Sequence, residues 1–174
     1  MIDKVTIIPT GDEIAKGIVT DTNSPAIMGM ILESFPECEI TRLKPCMDTE
    51  KEIMETLDTC VSNNVSLAIL IGGSGGGHRY VSTLGKDYTH SSLIQYLPNA
   101  VYKEIYGPNG HLWSKLVVGK KDNSLVVNVP GPYVEAIAAT KACIGLLQEG
   151  IVDENILVEK IAEAVFMQYP SNKK

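Results

Sequence analysis

Apolar residues follow two alternating patterns along this chain, short continuous runs and longer stretches with helical spacing. Short runs rich in β-branched residues are typical of strands that are buried on both faces. Apolar positions three or four residues apart indicate amphipathic helices. The predicted strands cover 5–8, 39–43 and 67–71, a hairpin pairs 116–118 with 125–127, and helices cover 24–34, a segment after Asp48, about 133–147 and about 153–167. This alternation predicts an α/β fold with a mostly parallel sheet covered by helices.

Polar residues at the edges of these elements predict how some of them begin and turn. Ser24 is a suitable N-cap for the first helix, with Pro25 as its first helical residue. Asp48 is an equally suitable N-cap for the second helix. We expect Lys120 and Lys121 to lie in a solvated turn of the hairpin.

Composition narrows the class of protein. The 174 residues, which carry a net charge of −6, fit a single domain spanning residues 1–174. Arg42 and Arg79 are the only arginines in the sequence, which argues against binding to a nucleic-acid backbone. Neither a signal-peptide pattern at the N-terminus nor an apolar run long enough for a membrane span is present in the sequence. We therefore expect a cytoplasmic protein with no membrane or nucleic-acid partner.

Cysteine and histidine spacing gives little support for a metal centre. Cys38, Cys46, Cys60 and Cys143 include no C-x-x-C pair, which predicts reduced thiols, several of them buried. His90 and His111 have no accompanying ligand pattern and are expected on the surface or in loops. Trp113 can either cover a ligand or pack against the sheet, and the sequence leaves both alternatives open.

Three segments at predicted strand ends carry the candidate chemistry, because ligands of open α/β sheets bind beyond the carboxyl ends of the strands. The first is rich in hydroxyl, amide and carboxylate groups, which can cap a helix or hold a hydroxyl-rich ligand or hydrated Mg²⁺. Its candidate binding residues are Thr10, Gly11, Asp12, Glu13, Asp21, Asn23 and Ser24, with Gly17 between them.

The second segment is a glycine run whose backbone N–H groups can approach an anion closely. Its candidate binding residues are Gly72, Gly73, Ser74, Gly75, Gly76, Gly77, His78 and Arg79. A phosphate-binding P-loop would need a lysine where His78 stands, and the spacing of the dinucleotide fingerprint also fails. The third segment, Pro130 and Gly131 before Pro132, precedes a helix whose first N–H groups can hold an anion.

The three segments, taken in order, resemble the molybdopterin-binding fold of molybdenum-cofactor biosynthesis proteins of the MoaB/Mog type, shared with the N-terminal domain of CinA proteins. The resemblance runs from about Val5 to Ala139. It implies a three-layer α/β sandwich with a mostly parallel sheet, a small β-hairpin and a site for a pterin phosphate or nucleotide at the strand ends. It also implies a homo-oligomer, either a trimer or a hexamer.

Catalytic members of this family transfer AMP from ATP to the pterin phosphate with Mg²⁺, using two acidic residues. By resemblance, Asp48 is a candidate catalytic residue and Mg²⁺ ligand, and Asp12 is a second candidate catalytic residue. The family's other acid follows the glycine loop, where this sequence has Tyr80. Tyrosine supplies no carboxylate charge at neutral pH, and the next acid is Asp87.

The resemblance therefore predicts a protein that binds molybdopterin or a nucleotide and relates to molybdenum-cofactor biosynthesis, with weakened or lost adenylyltransferase activity. The expected ligands are molybdopterin, as ligand or substrate, and ATP with Mg²⁺. The alternative is a CinA-like pyrophosphatase domain that acts on a nucleotide such as ADP-ribose.

Overall fold

The computed structural model describes residues 2–75 and 87–169, which form one six-stranded sheet with helices on both faces. In chain order the elements are β1 (Lys4–Pro9), α1 (Asp12–Ala15), α2 (Asn23–Ser34), β2 (Glu39–Arg42), α3 (Glu50–Ser62), β3 (Leu67–Ile71), α4 (Thr89–Tyr96), β4 (Val101–Tyr106), β5 (Leu112–Lys121), β6 (Ser124–Val129), α5 (Tyr133–Gln148) and α6 (Glu154–Phe166).

The strands lie in the order β2-β1-β3-β6-β5-β4. The first four are parallel, and β5 and β4 continue the sheet in antiparallel fashion. The central strands β3 and β6 are buried along their whole length, as their continuous apolar sequences predict. This arrangement brings the carboxyl ends of β1, β3 and β6 to one edge of the sheet.

The sheet has a hydrophobic core on each face. Alternate side chains of β3, such as Ile69 and Leu70, enter opposite cores. Helices α2, α5 and α6 cover one face, and α3 and α4 cover the other. The predicted fold class, a three-layer α/β sandwich with a mostly parallel sheet, is confirmed.

The hairpin differs from its prediction in extent and place. It joins β5 to β6 within the main sheet, and its turn is Asp122 and Asn123, where Asp122 has a φ of +53°. Lys120 and Lys121 therefore do not lie in a turn. They end β5, where Lys120 pairs with Glu154 and Lys121 with Asp58.

Two predicted N-caps are wrong because other side chains, those of Asp21 and Thr49, accept from amides in the first turns of the two helices. Helix α2 begins at Asn23, one residue before the predicted cap Ser24, whose amide donates to Asp21 Oδ1 at 2.9 Å. Helix α3 is capped by Thr49, whose hydroxyl accepts from the Glu52 amide at 3.3 Å. Asp48 is thereby left for a contact with the first loop.

The four cysteines are free thiols and all are buried, as predicted. Burial raises the pKa of Cys60 to about 11, which keeps its thiol protonated near neutral pH. No helix in the described part of the chain is both long and apolar enough to cross a membrane.

Candidate ligand-binding site

A cavity of about 610 Å³ lies at the edge of the sheet where β1, β3 and β6 end. Its size is within the range of clefts that hold small organic ligands. The predicted site residues on its wall are Thr10, Glu13, Asp21, Asn23, Gly72, Gly73, Ser74, Gly75, Pro130 and Gly131. The structure thus brings all three predicted segments to one place.

Hydrogen bonds between the loops fix the shape of this cavity. Thr10 Oγ1 donates to the carbonyl of Ile71 at 3.0 Å and lies 3.0 Å from Thr89 Oγ1. Asn23 Nδ2 donates to the Gly131 carbonyl at 2.7 Å, which links the first loop to the third. The cavity is therefore formed by backbone and side chains that hold one another in place.

Asp21 is held at the cavity wall by partners on two sides. Its Oδ1 accepts from the Ser24 amide at 2.9 Å, and its Oδ2 pairs with Arg42 Nη2 at 2.8 Å. Burial alone would raise the pKa of Asp21, but hydrogen bonds from Ser24 and Arg42 outweigh it and lower the pKa below 3.8. The side chain is accordingly ionised and already neutralised by one of the two arginines.

The described part of the glycine loop leaves consecutive amides available to a ligand. The Gly72 amide is engaged with the Val129 carbonyl at 3.0 Å. In the segments described, the amides of Gly73, Ser74 and Gly75 donate no hydrogen bond. Consecutive free N–H groups in a glycine-rich turn form a concave anion-binding surface. All three residues line the cavity.

Two of these positions require glycine on geometric grounds. Gly73 has a φ of +60°, and a Cβ there would lie 2.1 Å from Thr89 Oγ1. Gly72 has a φ of +105°, and a Cβ there would lie 2.9 Å from the Thr10 carbonyl oxygen. The glycines allow the loop to pack directly against the ends of β1 and α4. Gly76, Gly77, His78, Arg79 and Tyr80 lie outside the described residues.

The third segment places a helix N-terminus beside the glycine loop. Pro132 precedes α5, and the first intrahelical bond joins the Ala136 amide to the Pro132 carbonyl at 2.9 Å. A Cβ on Gly131 would lie 3.8 Å from Gly72 Cα, so the two loops face each other across a narrow space. N-terminal amides of a helix favour anions, and the anion-binding role of this segment stays a prediction.

Asp12 and Asp48, the candidate catalytic residues, form a buried reciprocal pair. The Asp48 amide donates to Asp12 Oδ1 at 3.0 Å, and the Asp12 amide approaches Asp48 Oδ2 at 3.4 Å. Asp12 Oδ2 also pairs with Lys16 Nζ at 3.3 Å. Both acids lie behind the cavity wall, with Gly11 and Ser24, while Thr10 and Glu13 form the wall itself.

This pair does not form a ready-made metal site. Across the described ranges, no three His, Cys, Asp or Glu side chains are placed to hold a metal ion. Mg²⁺ is commonly held by one or two carboxylates together with phosphate oxygens, but here Lys16 and a backbone amide occupy the Asp12 carboxylate. The Mg²⁺ role of Asp48 stays a prediction.

One wall of the cavity was not anticipated from the three segments. Trp113 of β5 and Tyr169, after α6, line it with ring centroids 4.2 Å apart and planes at 39°. Glu135, in the first turn of α5, accepts from the Tyr169 hydroxyl at 3.4 Å. Trp113 also packs against the core, which confirms one of the two alternatives that the sequence left open. The other alternative, that it covers a ligand, stays a prediction.

The charged side chains on the cavity wall are carboxylates. Burial raises the pKa of Glu135, and the hydrogen bond from Tyr169 opposes this shift. Four carboxylates lie on the wall, from Glu13, Asp21, Asp87 and Glu135, and in the described part of the chain no Lys, Arg or His side chain joins them. A bound anion would therefore depend on backbone N–H groups, as the acidic composition suggests.

The histidines differ from each other. His111 is an exposed loop residue, as predicted, whereas His90 is half-buried in the first turn of α4. Burial and the nearby Lys115 charge lower the pKa of His90, although a hydrogen bond with the Gly75 backbone opposes the shift. The His90 amide also donates to the Gly73 carbonyl at 3.4 Å, so His90 contacts the glycine loop.

Comparison with known proteins agrees with this geometry. The family model described as "Probable molybdopterin binding domain" matches residues 6–149. No match was found among curated protein sequences.

Solved structures share the fold at low sequence identity. A MogA structure is 19% identical, covers 91% of this chain and 99% of its own, and has a TM-score of 0.64. The CinA protein of Thermoplasma acidophilum, described as having unknown function, is 17% identical over 86% of this chain and 100% of its own, with a TM-score of 0.65. The molybdopterin biosynthesis Mog protein of Mycobacterium ulcerans is 22% identical over 93% of this chain and 99% of its own, with a TM-score of 0.59.

The family match covers most of the chain and includes all three loops that form the cavity. The chain therefore belongs to the family of probable molybdopterin-binding domains.

Proposed function

We propose that the cavity binds a pterin phosphate of the molybdopterin type, and that the protein does so without conventional adenylyl transfer. The observation that carries this proposal is the convergence of the three loops on one cavity of about 610 Å³. Gly73, Ser74 and Gly75, whose amides donate no hydrogen bond to any part of the chain that the structure describes, lie on its wall.

The phosphate position in this proposal follows from the backbone. A phosphate at Gly73–Gly75 would meet three successive N–H donors, and the N-terminus of α5 lies across the space from Gly72. Both features attract anions without a basic side chain. This reconciles an anionic ligand with a chain whose net charge is −6.

The absence of conventional turnover is proposed because the acids of the reaction are missing or engaged. Adenylyl transfer relies on positioning and on neutralising phosphate charge, usually through metal-bound carboxylates. Tyr80 stands where the family has an acid. Asp12 and Asp48 bond to each other's amides, away from the cavity wall. A binding role retains the cavity and needs neither acid.

The direct test follows binding and turnover separately. The purified protein is incubated with molybdopterin, ATP and Mg²⁺, pterin binding is measured by calorimetry, and AMP transfer is followed by chromatography of the products. We expect saturable pterin binding and no adenylylated product. Adenylylated product would contradict the second half of the proposal. Hydrolysis of ADP-ribose without pterin binding would contradict both halves and favour the pyrophosphatase alternative.

A graded substitution at Gly131 ties binding to the cavity. A Cβ at this position meets Gly72 Cα at an ordinary van der Waals distance of 3.8 Å, so Gly131→Ala should fold normally. Gly131→Val should fold as well, because the residue precedes Pro132, a position that favours extended backbone. The larger side chain would narrow the space between the second and third loops. We expect molybdopterin affinity to fall in the order Gly, Ala, Val.

The matched control places the same side chain elsewhere. Gly145 lies in α5, and a Cβ there would have no neighbour within 4 Å in the part of the chain described. Gly145→Val should therefore leave molybdopterin affinity unchanged. Equal affinities in the wild type, Gly131→Val and Gly145→Val would show that the ligand binds elsewhere.

A further inference from the structure

Trp113, Tyr169 and Glu135 form a recess at the unanticipated wall of the cavity, here called the ring recess. The rings of Trp113 and Tyr169 are tilted by 39° with centroids 4.2 Å apart, and both border the cavity. Exposed faces of large aromatic rings bind flat heterocycles by offset stacking. The recess thus offers an apolar surface beside a carboxylate.

The position of Trp113 is fixed by a close approach to the backbone. A Cβ on Gly107 would lie 2.4 Å from Trp113 Cε2 and Nε1, so the indole lies directly against this glycine. Tyr169 is held by its hydroxyl, which donates to Glu135 Oε2 at 3.4 Å. Both rings are therefore positioned before any ligand arrives, which reduces the entropy lost on binding.

Glu135 supplies the polar part of the recess. Its Oε2 accepts from Tyr169, and within the described residues its Oε1 has no hydrogen-bond partner. A carboxylate accepts well from two adjacent N–H groups in one plane, as it does from an arginine side chain. The amino-oxo-pyrimidine edge of a pterin presents such a pair, a ring N–H beside an exocyclic amino group.

The ring recess is continuous with the glycine loop. Ser114, next to Trp113, donates from Oγ to Ser74 Oγ at 3.1 Å, and the Lys115 amide donates to the Ser74 carbonyl at 2.7 Å. One ligand can therefore reach the recess with its ring and the amides of Gly73–Gly75 with its phosphate. The cavity volume of about 610 Å³ allows this.

Building on the proposed function, we infer that Glu135 selects the ring of the ligand by accepting its N–H pair while Trp113 and Tyr169 hold its face. Glu135 is accordingly a specificity-determining residue, and the recess favours 2-amino-4-oxopteridines over dioxopteridines. In a dioxopteridine an oxygen replaces the amino group and would face the carboxylate.

Two small probes that lack a phosphate test this selection. Trp113 is the single tryptophan of the chain, so quenching of its fluorescence reports occupancy of the recess. The probes are pterin itself and lumazine, the corresponding 2,4-dione. We expect the wild type to bind the pterin at least about tenfold more tightly, equivalent to about 1.4 kcal/mol.

Glu135→Gln tests the residue itself. The amide can donate to the lumazine oxygen, so the preference for the pterin should fall to less than about threefold, with lumazine affinity unchanged or increased. The control is Glu149→Gln, which removes the same charge at the exposed C-terminal end of α5 and should retain the wild-type preference. A preference unchanged in Glu135→Gln would overturn the inference.

A second variant removes the hydrogen bond to Glu135 without changing the aromatic packing of the recess. Tyr169→Phe keeps the ring but removes the hydroxyl that holds Glu135, and we expect partial loss of the preference with normal folding by circular dichroism. Molybdopterin binding that is sensitive to Gly131→Val, with no pterin preference, would overturn this inference and leave the proposed function intact. Loss of binding to every pterin compound would overturn both.

Discussion

Gly73 packs directly against the start of α4, so Gly73→Ala is the most informative test of this packing through the stability of the protein. Gly73 has a φ of +60°, and a Cβ would lie 2.1 Å from Thr89 Oγ1 and 2.7 Å from Thr89 Cβ. Thr89 has no exposed surface, and its hydroxyl lies 3.0 Å from Thr10 Oγ1. The threonine cannot turn away without losing this contact, so the substitution should strain both loops.

The expected loss combines two effects. The left-handed backbone costs a non-glycine residue about 1 kcal/mol. Forcing a methyl group into this packed position costs about 1–3 kcal/mol. The free energy of unfolding should therefore fall by about 2–4 kcal/mol, which for a chain of this size lowers Tm by roughly 4–16 °C.

Urea and thermal unfolding, followed by far-ultraviolet circular dichroism, measure this loss. Gly29→Ala is the matched control, since Gly29 lies exposed within α2, and a Cβ there would have no neighbour within 4 Å in the described part of the chain. That variant should gain about 0.5–1 kcal/mol, the usual effect of replacing glycine in a helix. A Gly73→Ala protein as stable as the wild type would refute the close packing of Gly73 against Thr89.

Two further predictions concern buried polar groups. Asn128 is fully buried in β6, where its Oδ1 accepts from the Val117 amide and its Nδ2 donates to the Lys115 carbonyl at 3.2 Å. Asn128→Ala should lower the free energy of unfolding, measured by urea titration, by about 2–4 kcal/mol, because two backbone groups of β5 lose their partners. A loss below about 1 kcal/mol would contradict this prediction. His90, whose pKa is lowered below 6.5 by burial and by Lys115, is more readily protonated in the unfolded chain. The free energy of unfolding should therefore decrease as the pH falls from about 6.5 through the folded-state pKa of His90. In His90→Gln this dependence of stability on pH should be weaker. An unchanged dependence in that variant would show that other groups cause it.

The sequence predicted the central sheet because its strands are buried on both faces. In a chain of this polarity, a continuous apolar run such as Leu67–Ile71 fits few structures other than a buried strand. The strand β4 and helix α4 were missed because neither contains a continuous apolar run or a regular apolar stripe. Val101–Tyr106 mixes charged and aromatic residues at a sheet edge, and Thr89–Tyr96 contains only two aliphatic side chains.

The predicted caps failed for a physical reason that local patterns do not contain. Asp48 and Ser24 are suitable N-caps by residue type, yet the Asp48 carboxylate contacts the amide of the distant Asp12, and the Ser24 amide donates to Asp21. At Asp48, a tertiary contact therefore overrides a local preference worth about 1 kcal/mol.

The convergence of the three loops was predictable, whereas the ring recess was not. Parallel strands place their carboxyl ends at one edge of the sheet, so loops after β1, β3 and β6 had to meet there. Trp113 comes from an antiparallel strand and Tyr169 from the segment after α6. Nothing in the spacing of these residues indicates that they share a wall with Glu135.

The central claim, that the cavity between the three loops holds the pterin phosphate, is tested most directly by a crystal structure of the protein with molybdopterin. We expect difference density with the phosphate at the amides of Gly73–Gly75 and the pterin ring against Trp113. An empty cavity under saturating ligand, or density for the ligand elsewhere on the protein, would contradict the claim.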